Sequence, residues 1–154
     1  KYLNVKNMKK IFTLIMAAAL VSGVASARDK ITTDVNELPE SARTLLSQYY
    51  HGAGVSRIKI DSKISGQSDY EVILDDGTEI EFAHDGSLKE IESGRDGVVP
   101  ENLILKSIRD YVSTNYVGRK IVSMDVERNG YDIELSDGVE LKFNKSGKVL
   151  SVED

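Results

Sequence analysis

Residues 70–77 read YEVILDDG and residues 131–138 read YDIELSDG, one pattern met twice, 61 positions apart. Each places an aromatic or aliphatic side chain at its first, third and fifth positions, as in Tyr131, Ile133 and Leu135, and closes on Asp-Gly. A period of two belongs to a strand with one buried face, and Asp-Gly at its end marks a hairpin. If Ser136-Asp137-Gly138 is a three-residue loop with Gly138 left-handed, then Leu135 faces Val139, Ile133 faces Leu141 and Tyr131 faces Phe143. All six then share one face. A two-residue loop sets Leu135 against Glu140 and scatters apolar side chains over both faces, so the three-residue loop with a bulge is expected. The same rule pairs Leu74 with Thr78, Val72 with Ile80 and Tyr70 with Phe82.

Working outward, the 61-residue offset recurs for Phe82 and Phe143, Gly86 and Gly147, Ile91 and Val152, and for Leu38-Pro39-Glu40 against Val99-Pro100-Glu101. A small slip falls between the helix and the first hairpin, where Asp61 matches Asp125 at an offset of 64. Such self-similarity is the mark of a duplication. Each copy opens on a proline suited to a first helical position, followed by a glutamate that favours the helix dipole. Ala42, Leu45, Leu46, Tyr49 and Tyr50 then form one apolar helical stripe, and Ile104, Ile108, Tyr111 and Val112 form another. Gly52 and Gly54 stop the first helix, and Gly118 stops the second. Strands follow near 56–64, 69–74, 78–83 and 87–92, and again near 120–127, 131–135, 139–144 and 148–152.

The expected fold class is α+β: two tandem repeats, each one helix packed on a four-stranded antiparallel sheet. The expected division is 1–27 for upstream residues and a signal peptide, 28–37 for an N-terminal lead, 38–93 for repeat one, 94–98 for a linker and 99–154 for repeat two. The leader is read from Lys9-Lys10, the apolar run from Ile11 to Val21 and the small residues Ala25 and Ala27. That run is too short to span a bilayer, which takes about 20 apolar residues. Cleavage after Ala27 makes the chain periplasmic or secreted, without membrane insertion. Lys1 to Asn7 read as sequence upstream of a start at Met8.

Removing residues 1–27 takes away four of the 20 basic residues and none of the 25 acidic ones, so the formal charge falls to −9. Such a chain repels nucleic acid and anionic lipid and favours basic partners. It has no cysteine, so an exported fold must hold by packing alone.

The pattern of Leu-Pro-Glu, an amphipathic helix, a Tyr-Glu/Asp-Val/Ile-x-Leu-x-Asp-Gly strand and turn, a phenylalanine strand and a late glycine resembles the PepSY-like proteins. The resemblance covers residues 38–154 and is carried by Tyr70, Asp76, Gly77, Phe82 and Gly86 and their mates Tyr131, Asp137, Gly138, Phe143 and Gly147. It implies an exported envelope protein with a fold similar to β-lactamase inhibitory protein and a non-enzymatic role in binding or inhibition. That inhibitor's aromatic-rich concave sheet and framework disulfides have no counterpart in a chain lacking tryptophan and cysteine.

Neither His51 nor His84 has a partner at ligand spacing, so no metal site and no cofactor is expected. Ser56-Arg57-Ile58-Lys59 has the Ser-x-x-Lys spacing, but on a strand those side chains point to opposite faces. Gly52-Ala53-Gly54 follows a helix and lacks the third glycine of a phosphate loop, and Asp75-Asp76-Gly77 lacks the ligand spacing of a calcium loop. No catalytic residue is assigned. The candidate partner-binding residues are Glu71, Glu79, Glu81, Glu134 and Glu140 on the sheet face away from the helices. Glu71 stands opposite Glu81 and Glu134 opposite Glu140, with Asp132 opposite Lys142 as the one compensated pair. The expectation is an envelope binding or inhibitory module holding a basic protein or peptide on this face. A structural or assembly accessory is the alternative, and a small enzyme ranks last.

Overall fold

The computed structural model describes residues 29–62 and 66–153, so the leader and its cleavage site lie outside the described residues. One antiparallel sheet of nine strands runs through the chain in sequence order. The strands are β1 (Asp29–Thr32), β2 (Val55–Ser62), β3 (Ser68–Leu74), β4 (Glu79–Phe82), β5 (Leu88–Glu92), β6 (Ile121–Glu127), β7 (Gly130–Leu135), β8 (Glu140–Asn144) and β9 (Val149–Glu153). Two helices, α1 (Glu40–Tyr49) and α2 (Lys106–Asn115), interrupt the meander.

The hairpins follow from their turns. Leu135 N–H donates to Val139 O at 2.9 Å and Gly138 N–H to Leu135 O at 2.8 Å. Gly138 has φ +88° and Gly77, its mate, φ +85°, a conformation that suits glycine and penalises a β-branched side chain. The resulting register pairs Tyr131 with Phe143 and Ile133 with Leu141, as the apolar pattern requires.

Two expectations fail. The sheet is not two four-stranded units: β5 pairs with β6 through Glu90↔Asp125, Ile91↔Met124 and Glu92↔Ser123. The lead adds β1 at the edge of β2. The physical reason is the apolar row that crosses the molecule in register, Ile58, Val72, Ile80, Ile91, Met124, Ile133 and Leu141. All seven are buried, each worth about 1.5–3 kcal/mol relative to exposure, and a break between Ile91 and Met124 would open that row to water.

The second failure concerns the helix starts. Pro39 is the N-cap of α1, but Pro100 caps only a 3₁₀ turn over Glu101–Leu103, and α2 begins later with Leu105 as N-cap. Ile104 is extended and 5% exposed, matching Leu38 at 3%, each just before its helix. Leu38 and Ile104 are 66 apart, as are Ala42 and Ile108, Leu46 and Val112, and Ile58 and Met124. The offset falls to 61 only from Tyr70 and Tyr131 onward, so the extra residues sit in the β2–β3 connection and not between helix and hairpin.

Both helices lie on the apolar face. Ala42 and Leu46 of α1 and Ile108 and Val112 of α2 join the same buried cluster as Phe82 and Phe143. Tyr111 meets Phe143 edge to face at 5.5 Å. The Ser41 hydroxyl donates to Asp85 O at 2.8 Å and the Ser107 hydroxyl to Ser146 O at 3.1 Å, pinning each helix start to the hairpin tip beneath it. The glycines that follow, Gly86 and Gly147, leave no room for a Cβ, which would fall 2.1 Å from Ser41 Oγ and 1.9 Å from Ser107 Oγ.

Candidate functional site

Alternation along each strand sends the neighbours of the apolar row to the opposite face of the sheet. The ladders set them in register as well. One row crosses from β2 to β8 as Lys59, Glu71, Glu81, Glu90, Asp125, Asp132 and Lys142, five consecutive carboxylates between two lysines. The next runs Arg57, Ile73, Glu79, Glu92, Ser123, Glu134, Glu140 and Glu153. All five candidate residues, Glu71, Glu79, Glu81, Glu134 and Glu140, fall on these two rows. The first three lie on β3 and β4, and the last two lie three or more strands away on β7 and β8.

Three carboxylates between them were not singled out from the sequence: Glu90 and Glu92 on β5 and Asp125 on β6. Treating the halves as separate sheets hid their juxtaposition. The signal was present in Glu90-Ile91-Glu92 and Ser123-Met124-Asp125, where one buried apolar residue stands between two polar ones on each strand.

Asp132–Lys142, with Nζ 3.1 Å from Oδ2, is not the one compensated pair. Arg57 Nη2 lies 2.8 Å from Glu71 Oε1, and the Glu71 side chain is only 12% exposed. Lys89 Nζ lies 3.3 Å from Asp69 and 3.4 Å from Glu81. Lys59 Nζ lies 3.6 Å from Asp29 Oδ2, so the lysine of the Ser-x-x-Lys segment is engaged with a carboxylate.

The titration behaviour follows from this layout. Glu90 is pushed up to about 8, chiefly by burial and then by Asp125, Glu81, Glu92 and Glu79. Burial, followed by neighbouring carboxylates, also raises Glu79 and Glu92. Burial lowers Lys89, but Glu81 and Asp69 together hold it above the ordinary lysine value. The hydrogen bond to Asp132 does the same for Lys142. The carboxylates raised by burial thus sit on β4 and β5, beside the β5–β6 join.

His51 and His84 are exposed, and His84 Nε2 is 3.3 Å from Gln67 Nε2. Among the described residues no group of three or more His, Cys, Asp or Glu side chains is arranged to hold a metal ion. Among the same residues no helix is long and apolar enough to cross a membrane.

The fold and this face define an open-faced α+β protein, with helices on one side of a single sheet and a carboxylate-lined surface on the other. No curated protein matches the chain. A family model described as beta-lactamase-inhibitor-like and PepSY-like matches residues 68–151, more than half of the sequence, and the chain belongs to this PepSY-like family. A solved protein of unknown function from Bacteroides vulgatus, provisionally described as periplasmic, is similar at 35% identity and a TM-score of 0.76, covering 82% of this chain and 99% of its own. A second from the same organism, also provisionally described as periplasmic, is 27% identical with a TM-score of 0.76, over 84% and 99% of the two chains. A third, from Bacteroides thetaiotaomicron, is provisionally described as a calcium-regulated periplasmic protein. It is 28% identical with a TM-score of 0.76, over 82% and 97%.

Proposed function

We propose that this chain is a non-enzymatic periplasmic or secreted protein that binds, and in binding inhibits or holds, a basic protein or peptide on its open sheet face. The observation that carries this reading is the unbroken run of five carboxylates from Glu71 to Asp132, with the cations held at its ends and flank. A surface of one sign, spread over five strands, steers an oppositely charged partner and fixes its orientation more than it adds raw affinity. The leader and the periplasmic descriptions of the similar structures support the location. We assign Glu71, Glu79, Glu81, Glu134 and Glu140 to this face together with Glu90, Glu92 and Asp125.

The same proposal keeps the division into 38–93 and 99–154 as copies of one unit, with 28–37 leading and 94–98 linking. The 3₁₀ turns Val35–Glu37 and Glu101–Leu103, 66 positions apart, support reading the two parts as copies. A structural accessory without a specific ligand is the second reading. Arg57, Lys89 and Lys142 favour it, because they neutralise part of the face internally as a solvated surface would.

The test is a photocrosslinking residue at Ser123, the polar position between Glu92 and Glu134, read in the native envelope. One basic protein should crosslink, and the double variant Glu92→Lys, Glu134→Lys should abolish the adduct while keeping the parent's thermal unfolding. Glu71 is left intact because Arg57 depends on it. An adduct that survives charge reversal, or no adduct from a folded and exported protein, assigns the chain to the accessory reading.

A further inference from the structure

The apolar row of the sheet ends differently at its two edges. On β1 it ends in Thr32, opposite Ile58. On β9 it ends in Val152, opposite Leu141. Val152 is 44% exposed, whereas Ile91, its mate at the offset of 61, is fully buried with β6 beside it. The two strands are otherwise alike, and each follows the same bulge, between Glu81 and Phe82 in one ladder and between Lys142 and Phe143 in the other. The bulge does not keep β5 from pairing on its far side. Among the described residues no strand lies beyond β9.

The backbone of β9 is turned for pairing as well. Ser93 N–H donates to Val122 O at 2.8 Å, a bond between residues that stand opposite each other in the β5–β6 register. In an antiparallel ladder such bonded pairs recur at every second residue, so Ile91 turns its N–H and C=O toward β6. Val152, in the same place on β9, turns its own toward the open edge.

We propose that β9 pairs with β9 of a second copy of this chain, antiparallel and about a two-fold axis at Val152, so that the two sheets become one. The acidic face stays open in such a dimer, and the pairing does not depend on what binds there.

Several features favour a second copy in this register. Val152 meets its own counterpart on the helix-covered face, a β-branched apolar pair that continues the buried row. Each Val152 N–H reaches the C=O of the other, which satisfies two donors and two acceptors together. On the opposite face Ser151 meets Glu153 of the second copy, so no like charges stand directly opposed. Lys142 flanks Ser151 from β8 and adds positive charge beside that glutamate. Head-to-tail pairing with β1 would instead set Val152 against an edge whose helix-side residues are Lys30 and Thr32, and it would not close. The ladder is short, with three register pairs in its counterpart β5–β6, so the dimer is a reversible one that depends on concentration.

The test is sedimentation equilibrium of the full chain as exported, over a wide range of concentration. The parent should pass from monomer to dimer as concentration rises. Val152→Pro removes the outward N–H and leaves the bonds between β9 and β8 in place, so it should unfold like the parent and weaken dimerisation by about tenfold or more. Should proline disturb the fold, Val152→Lys, which sets two like charges against each other at the axis, gives the same reading. Ile31→Ser, at the other edge, should leave dimerisation unchanged. A parent that stays monomeric throughout overturns the proposal, and so does a dimer that persists in a folded Val152 variant. Species larger than a dimer, lost in both Val152→Pro and Ile31→Ser, would assign the association to β9–β1 pairing and overturn it equally.

Discussion

At the residue scale, a few positions fix what the rest of the sequence can only favour. Gly138 is one, because its φ of +88° sets the count of residues in the β7–β8 turn and thereby the face on which Tyr131, Ile133 and Leu135 land. Gly138→Val places a branched Cβ in that conformation and should lose more than about 1 kcal/mol in denaturant unfolding. A variant as stable as the parent would mean that another turn serves equally well. This position was legible from sequence, since Asp-Gly between two alternating runs leaves few turns that keep the apolar side chains together. Glu90 was not. Nothing in Leu88-Lys89-Glu90-Ile91-Glu92 tells it from an ordinary exposed glutamate, and its pKa is raised chiefly by burial in the joined sheet and then by Asp125, 35 positions away across a ladder that the local pattern does not announce. Arg57 shows the same limit. Its pairing with Glu71 neutralises one of the five candidate carboxylates, and a β-bulge between Val55 and Arg57 interrupts the register on that stretch of β2.

At the element scale, the eight strands of the two predicted meanders were readable because each hairpin carries its own turn chemistry. The start of α2 was misread. Pro100-Glu101 has the local signature of a helix opening, yet the chain makes one 3₁₀ turn there and then extends to bury Ile104. Burial outweighed local propensity: a proline at a first position is worth tenths of a kcal/mol, whereas a buried isoleucine is worth about 1.5–3. Ile104→Ala should accordingly cost about 2–4 kcal/mol, as Leu38→Ala should in the first half, while Pro100→Ala should cost less than about 1. Chemical denaturation of the three variants measures this, and a Pro100→Ala loss equal to that of Ile104→Ala would restore the proline as the organising residue. Strand β1 escaped notice for a related reason. Asp29-Lys30-Ile31-Thr32 is too short and too charged to read as a strand, and it becomes one only by pairing with β2 beyond α1.

At the scale of the whole molecule, the consequence is continuity. A chain read as two small sheets, each with its own few carboxylates, forms one nine-stranded sheet in which those carboxylates share two rows and press hardest where the halves meet. Local patterns carried the hairpins, but the join between β5 and β6 is made across a linker and a helix with no turn signal of its own. Only the apolar row running from Ile91 to Met124 marks it. The open acidic face and the proposed binding role both depend on that join. The absence of cysteine from the chain gives a clean way to examine it. In the double variant Glu92→Cys, Ser123→Cys the two thiols stand directly opposite across β5 and β6, within the Cβ separation a disulfide accepts. Mild oxidation of the dilute, folded protein should form the intramolecular disulfide nearly completely, while the off-register control Glu92→Cys, Glu127→Cys should stay reduced. Free thiols in the first variant, or equal crosslinking in both, would contradict the single continuous sheet.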